Sequence, residues 1–155
     1  MMTFAMGEFT AEFPTDYLYA SNHMWARTSP DQSDGPVLRF GLTAYAVRLL
    51  QDVYFLDWVV EPGMNLAHRR NIGAIESKKA ESDLFSPLEG VLTNINDDVL
   101  AEPSLINADT YNRGWMFEIR SADTDGHLMD VDAYRLHLES AWKVAQRTIR
   151  GQANQ

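Results

Sequence analysis

The sequence predicts a mainly β domain, a small sandwich or barrel, with a short helix near residues 44–51 and a C-terminal amphipathic helix near 130–150. Three observations carry that reading. Between Asp52 and Arg120, brief apolar runs alternate with Gly and Pro turns. No segment long enough for a crossover helix separates them, which disfavours a parallel α/β sheet. From Asp130 onward, apolar residues recur every three or four positions, the period of one helix face. With 155 residues, the chain has the size of one domain with one core.

Each element follows in order. Met1 to Asn22 mixes Phe4, Phe9, Phe13, Tyr17 and Tyr19 with polar residues and Pro14, without sustained periodicity. It reads as a partly docked arm, bounded at residues 1–18, ahead of one domain over 19–155. Met24 to Thr28 and Val37 to Gly41 flank the turn formers from Ser29 to Pro36 and read as a hairpin with a loose loop. Thr43 can cap a helix over Ala44 to Gln51, where Tyr45, Ala46, Leu49 and Leu50 make an apolar stripe. The β runs are Val53 to Val60, Ile72 to Ile75, Leu84-Phe85, Gly90 to Ile95 and Trp115 to Ile119. Asp97 to Glu102 makes one helical turn that Pro103 stops. In the tail, Val131, Tyr134, Leu138, Ala141, Trp142, Ala145 and Ile149 form one face, expected to pack on the β core. Asp130 and Asp132 stand at its start, basic residues near its end, and Gly151 is expected to stop it.

Composition excludes several classes of chemistry. There is no cysteine, so disulfides, thiolate metal sites and a cysteine nucleophile are ruled out, and any redox sulfur must come from a cofactor. The net charge of -9 repels a phosphate backbone, so nucleic acid is not expected as a partner. No apolar stretch approaches the roughly 20 residues that span a bilayer, so no membrane association is expected. Met1 to Phe13 carries Glu8 and Glu12 and lacks a basic start, and the first arginine is Arg27, so neither a secretion signal nor a mitochondrial leader is read. A cytoplasmic address is the expectation. His23, His68, His127 and His137 are scattered, without metal-ligand spacing. No nucleophile elbow, Walker loop or dinucleotide fingerprint occurs. The carboxylate neighbours Asp97-Asp98 and Glu81 with Asp83 read as solvated charge in a chain of 22 acids.

One segment stands out, Ile72 to Pro87. An apolar strand ends at Glu76, a polar stretch carries Lys78 and Lys79, and Leu84-Phe85 resumes the apolar pattern. This is a hairpin whose tip presents an ammonium group to solvent. Taken alone, it reads as a soluble turn whose lysines offset Glu76, Glu81 and Asp83.

Glu76-Ser77-x-Lys79-Ala80-x-Ser82-Asp83, followed by Ser86-Pro87-x-x-Gly90, resembles the lipoyl-attachment hairpin of the glycine cleavage system H protein family. The likeness continues in His23-x-Trp25, Gly41-Leu42-Thr43-x-Tyr45-Ala46, Asp52-Val53-x-Phe55-Leu56 and Asn107-x-Asp109-x-Tyr111-x-x-Gly114-Trp115, in the family's order from about Tyr19 to Arg120. The resemblance implies a barrel-sandwich hybrid of two small sheets, like lipoyl and biotinyl domains, with lipoic acid in amide linkage to Lys79. It implies a carrier that is not itself a catalyst. Such a carrier shuttles an aminomethyl group from glycine decarboxylase to a folate-dependent aminomethyltransferase and is reoxidised by dihydrolipoyl dehydrogenase. It further implies lipoylating enzymes that recognise Glu76, a cationic cargo paired with Asp83, a tight turn at Gly90 beside the hairpin, and a monomer. Lys78 is left a supporting surface role. Methionines usually flank the lysine of the biotinyl hairpin, and here Lys78 and Ala80 do.

Three positions depart from the family pattern. Met24 stands where an acid is common, Ala44 where Asp is usual, and Leu49 where polar residues are frequent. A lost carboxylate partner in a water-shielded site costs about 1 to 3 kcal/mol. A less acidic pocket suits an uncharged or anionic sulfur-bound group. This makes an H-like carrier for another system, such as heterodisulfide-reductase-like sulfur oxidation, the alternative, with an unmodified interaction module as a third reading.

Overall fold

The structure, a computed structural model, describes residues 1–32, 35–121 and 126–153, with side chains through Arg147. Ser33 and Asp34 of the expected loose loop, and the side chains of Ile149 and Arg150, lie outside the described residues.

The chain begins with a hairpin of β1 (Met2–Met6) and β2 (Phe9–Phe13). Next come β3 (Leu18–Ala20), β4 (Met24–Thr28), β5 (Val37–Leu42) and helix α1 (Ala44–Leu50). They are followed by β6 (Val53–Trp58), β7 (Asn65–Leu66), β8 (Asn71–Ser77), β9 (Glu81–Phe85) and β10 (Gly90–Ile95). Two short helices, α2 (Asp97–Ala101) and α3 (Leu105–Ala108), precede β11 (Phe117–Arg120), β12 (Leu128–Met129) and the long α4 (Val131–Ala153). A seven-stranded sheet runs β12-β3-β4-β5-β11-β10-β7, and a three-stranded sheet runs β6-β8-β9. Their strand pairs are antiparallel throughout. This is the mainly β sandwich that the sequence predicts.

The main core lies between these two sheets. Phe40, Leu42, Leu92 and Ile119 come from one, and Leu56, Ile72, Ile75 and Leu84 from the other. Strand β4 is buried on both faces because pleating sends successive side chains to opposite sides. Met24 and Ala26 enter the main core, while Trp25 enters a second cluster on the outer face. Gly41 is the cross-strand partner of Trp25, and a Cβ there would meet the indole at 2.6 Å. Only the missing side chain lets the ring lie flat on the sheet.

The second cluster explains two elements that the sequence left vague. Met2 and Met6 of β1, Ala11 and Phe13 of β2, Tyr45 of α1, and Tyr134 and Leu138 of α4 bury one another against Tyr19 and Trp25. The opening segment is therefore a regular hairpin, and the reading of no alternation is corrected. Met2, Phe4 and Met6 face inward, as do Phe9, Ala11 and Phe13, and Gly7 turns the chain at φ 66. Ala5, apolar but exposed, blurs the pattern in β1. The inward face of α4 packs here, as its periodicity predicts, and Asp130 accepts from the Ala133 amide at 2.8 Å to start the helix. Gly151 does not stop it, since the helix runs to Ala153. A glycine inside a helix costs only about 1 kcal/mol, less than is needed to end it without a competing cap.

Polar groups join the second cluster to β4 and α1. Tyr134 stacks on Tyr19 with ring centroids 4.5 Å apart. Its hydroxyl lies 3.0 Å from Thr43 Oγ1 and 2.8 Å from His23 Nδ1. His137 Nε2–H donates to the Ser21 carbonyl at 2.8 Å, and its ring lies 5.1 Å from that of His23. Burial, with His137 beside it, pushes the His23 imidazole down from 6.5 to about 4.

Two consequences are measurable. Gly90 sits in β10 against β11, where a Cβ would lie 2.5 Å from the Arg120 carbonyl oxygen. Gly90→Ala therefore costs about 2 to 3 kcal/mol in urea unfolding. Gly7→Ala, in open space, costs about 1 kcal/mol for its positive φ alone. For His23, the unfolded chain binds the proton more readily than the folded one. Its contribution is complete above pH 6.5 and is lost as pH falls through about 4. That contribution is about 3 kcal/mol. His23→Asn, which tolerates the positive φ of 66, should flatten the unfolding free energy across this window relative to the parent protein.

Candidate functional site

The hairpin tip is built from four residues. Strand β8 ends at Ser77 and β9 begins at Glu81, with Glu76 and Glu81 paired across the ladder. The Ser77 amide donates to the Ala80 carbonyl at 2.9 Å and closes the turn over Lys78 and Lys79. Ser77 is buried, and its hydroxyl fastens the turn from within. It donates to the Ala80 carbonyl at 3.1 Å and accepts from the amides of Lys79 at 3.3 Å and Ala80 at 3.2 Å.

The tip is also held from outside. The Lys78 amide donates to the Asp52 carbonyl at 2.9 Å, and the Lys79 amide to the Leu50 carbonyl at 3.3 Å. Both acceptors belong to the tight connection from α1 to β6, where Gln51 has φ 62. Asn107 at the end of α3 clamps that connection. It donates to the Gln51 carbonyl at 2.7 Å and accepts from the Val53 amide at 3.0 Å. The backbone at residues 78 and 79 is thus fixed while both side chains are exposed. Neither amine is ion-paired to a described residue.

Beside the hairpin is a cavity of about 220 Å³ between β4, α1 and β9. Met24, Tyr45, Leu49, Leu50 and Phe85 give it apolar walls, with Asn22, His23, Ser82 and Asp83 as its polar lining. Asp83 is the only carboxylate among the described lining residues, and His23 is uncharged at neutral pH. The cavity can hold an apolar chain against water, with one negative group on the exposed part of its wall.

The structure brings Lys79, Glu76 and Asp83 onto one hairpin, with Glu76 half-buried and Asp83 exposed. Gly90 is elsewhere, in the seven-stranded sheet, paired with Leu66. Its missing Cβ makes room for the backbone of β11, and it does not line the cavity. Of the three departures, Met24 and Leu49 line the cavity. Ala44 does not. It faces a separate cavity with Phe9, Arg48 and Asn107, so the expectation that it removes charge from an arm pocket is corrected. Sequence reasoning missed the roles of Ser77 and Asn107, although both fall in the quoted motifs. It also missed the pairing of the histidines, because His23 and His137, and His68 and His127, are far apart in the chain.

Comparison with known proteins gives one answer. The family model described as Glycine cleavage H-protein matches residues 17–141. The glycine cleavage system H protein of Corynebacterium aurimucosum is 34% identical over 124 residues, covering 80% of this chain and 94% of the relative. That of Mycobacterium avium is 34% identical over 131 residues, covering 81% and 96%, and that of Chromobacterium violaceum is 36% identical over 127 residues, covering 80% and 94%. The crystal structure of a glycine cleavage system H protein from Mycobacterium marinum is similar at a TM-score of 0.68 and 30% identity. It covers 79% of this chain and 95% of that one. On these matches and on the fold they share, the chain belongs to the glycine cleavage H-protein family.

Proposed function

We propose that this protein serves glycine cleavage as a lipoyl carrier acylated at the Nζ of Lys79. Family membership makes it a non-catalytic carrier component and implies the lipoyl cofactor. The observation that supports Lys79 is the tip itself, an exposed amine on a backbone held by the Leu50 carbonyl and the Ser77 hydroxyl. The lipoyl dithiolane, when bound, supplies the redox-active sulfur that a cysteine-free chain lacks.

The chain's own residues do the rest. Ser77, Asp52 and Leu50 keep the anchor point in place, so that motion is confined to the side chain and what it bears. The apolar wall of Met24, Leu49 and Phe85 shelters an arm between visits, and Asp83 stands as the counter-charge for a cationic load. Glu76, in the strand that leads to the tip, is the acidic feature for lipoylating enzymes. Tethering raises the effective concentration at each docked active site to the order of mM.

The partners in this reading are glycine decarboxylase, the aminomethyltransferase and dihydrolipoyl dehydrogenase. A bulge in β6 between Val53 and Phe55 leaves Tyr54 and Phe55 exposed, and the neighbouring Val53 pairs with Ser77 at the tip. Aromatic side chains so placed are suited to anchor a partner. The net charge of -9 favours encounter with basic surfaces and disfavours nucleic acid. Among the described residues, no helix is long and apolar enough to cross a membrane. The named relatives do not favour a carrier for a different system.

The test is chemical. Co-expressed with lipoylating machinery, the protein should gain one lipoyl mass. Lys79→Arg should abolish the adduct and Lys78→Arg should keep it. The lipoylated protein should support glycine-dependent CO2 exchange with competent partner enzymes, and Lys79→Arg should reduce it to background. An adduct that persists in Lys79→Arg, or a lipoylated protein inactive in exchange, contradicts the proposal.

A further inference from the structure

The β1–β2 hairpin is a sheet of its own. Among the described residues it shares no ladder with the seven-stranded or the three-stranded sheet, and it lies outside the family match at 17–141. What it touches is informative. Strand β2 lies against α1, and β1 lies against α4.

Helix α1 is held on three sides. Ala46, Leu49 and Leu50 line the cavity beside the tip. Tyr45 is buried in the second cluster, where Trp142, one residue past the family match, meets it edge-on with ring centroids 6.5 Å apart. The outer side bears on β2, where the Arg48 guanidinium lies 4.3 Å from the centre of the Phe9 ring, a cation over an aromatic face.

The start of the helix is tied to the same strand. The Ala44 amide donates to the Tyr111 hydroxyl at 2.9 Å, and that hydroxyl donates to the Glu12 carbonyl of β2 at 2.6 Å. Its proton is directed at the hairpin, which leaves a lone pair for the helix. Tyr111 is itself mounted on the domain. Its carbonyl accepts from the Tyr17 hydroxyl at 3.0 Å, and the Thr110 carbonyl before it accepts from the Trp25 indole at 2.9 Å.

With seven residues, α1 is too short to be stable alone, so its position is set by what holds it. A helix of that length spans only about 10 Å. The carbonyl of its last residue, Leu50, accepts the Lys79 amide, so a tilt at the Ala44 end is delivered at the tip. We infer that the β1–β2 hairpin is a brace for the attachment point, with Phe9 and Tyr111 as positioning residues that hold α1 so that the Leu50 carbonyl stays on the Lys79 amide. The inference rests on Lys79 as the attachment point of the proposed carrier.

The test is amide hydrogen exchange, resolved at single amides, in the full-length lipoylated protein. Tyr111→Phe keeps the ring and removes the hydroxyl, and Phe9→Leu keeps apolar bulk and removes the aromatic face. The double variant should speed exchange at Lys79 at least about tenfold while β4 and β5 keep their rates. In glycine-dependent CO2 exchange, its KM as the carrier should rise at least about threefold with kcat unchanged. Gly90→Ala, which strains β10 against β11, is the control for general stability. It should lower the melting temperature and leave Lys79 exchange and the carrier KM at the parent's values. Intact mass reads the adduct separately, so the exchange result stands whether or not Lys79 carries it. Unchanged exchange at Lys79 or an unchanged KM in the double variant overturns the inference, as does equal acceleration in Gly90→Ala.

Discussion

Two backbone hydrogen bonds organise this molecule around its tip: Lys78 to the Asp52 carbonyl and Lys79 to the Leu50 carbonyl. A two-residue turn at the end of a hairpin is ordinarily the part of a sheet most free to move. Here it leans on a helix end. That helix end is in turn locked by Asn107, which reaches the Gln51 carbonyl and the Val53 amide from a different part of the chain. Through α1 the same connection reaches the second cluster, where Tyr45 is buried with Tyr134 and Trp25. A carrier needs a fixed anchor and a free arm, and with Lys79 as the proposed attachment point the bonding divides the two at the Cα of residue 79.

The two cores have different tasks. The main one, between the sheets, makes the sandwich and the floor of the hairpin. The second is assembled from the N-terminal hairpin, α1 and α4, and it burdens β4 with burial on both faces. That double burial explains why Met24 is a core residue, 1% exposed, and at the same time lines the cavity beside the tip. A carboxylate at that position would have to be held in an apolar setting, at a cost of several kcal/mol without a partner. The cavity consequently has its negative charge on the exposed strand β9, at Asp83, where water reaches it. The family match begins at residue 17, so the β1–β2 hairpin lies outside it.

Much of this was legible in the sequence, for physical reasons. The runs at Val53, Ile72, Leu84 and Gly90 read as strands because turn formers punctuate them, and Thr43 does cap its helix. The α4 face was visible because its stripe is long. Short strands were not: β7 and β12 have two residues each and exist only through pairing with β10 and β3. The first hairpin was missed because Pro14, Tyr17 and Tyr19 were averaged with it. At the site, the tip lysines were legible, and the bonds that hold them were not. Asn107 lies 56 residues from Gln51, and nothing local in either segment encodes that bond. His68 and His127 likewise meet only in the folded chain.

The central claim is that the anchor is rigid, and amide hydrogen exchange measures this directly. In the lipoylated protein, the amides of Lys78 and Lys79 should exchange as slowly as those of the neighbouring β8 ladder, although their side chains are in water. Asn107→Ala should release both amides selectively while β4 and β5 stay protected. Exchange of the Lys78 and Lys79 amides at the rate of an open loop in the parent protein would contradict the account.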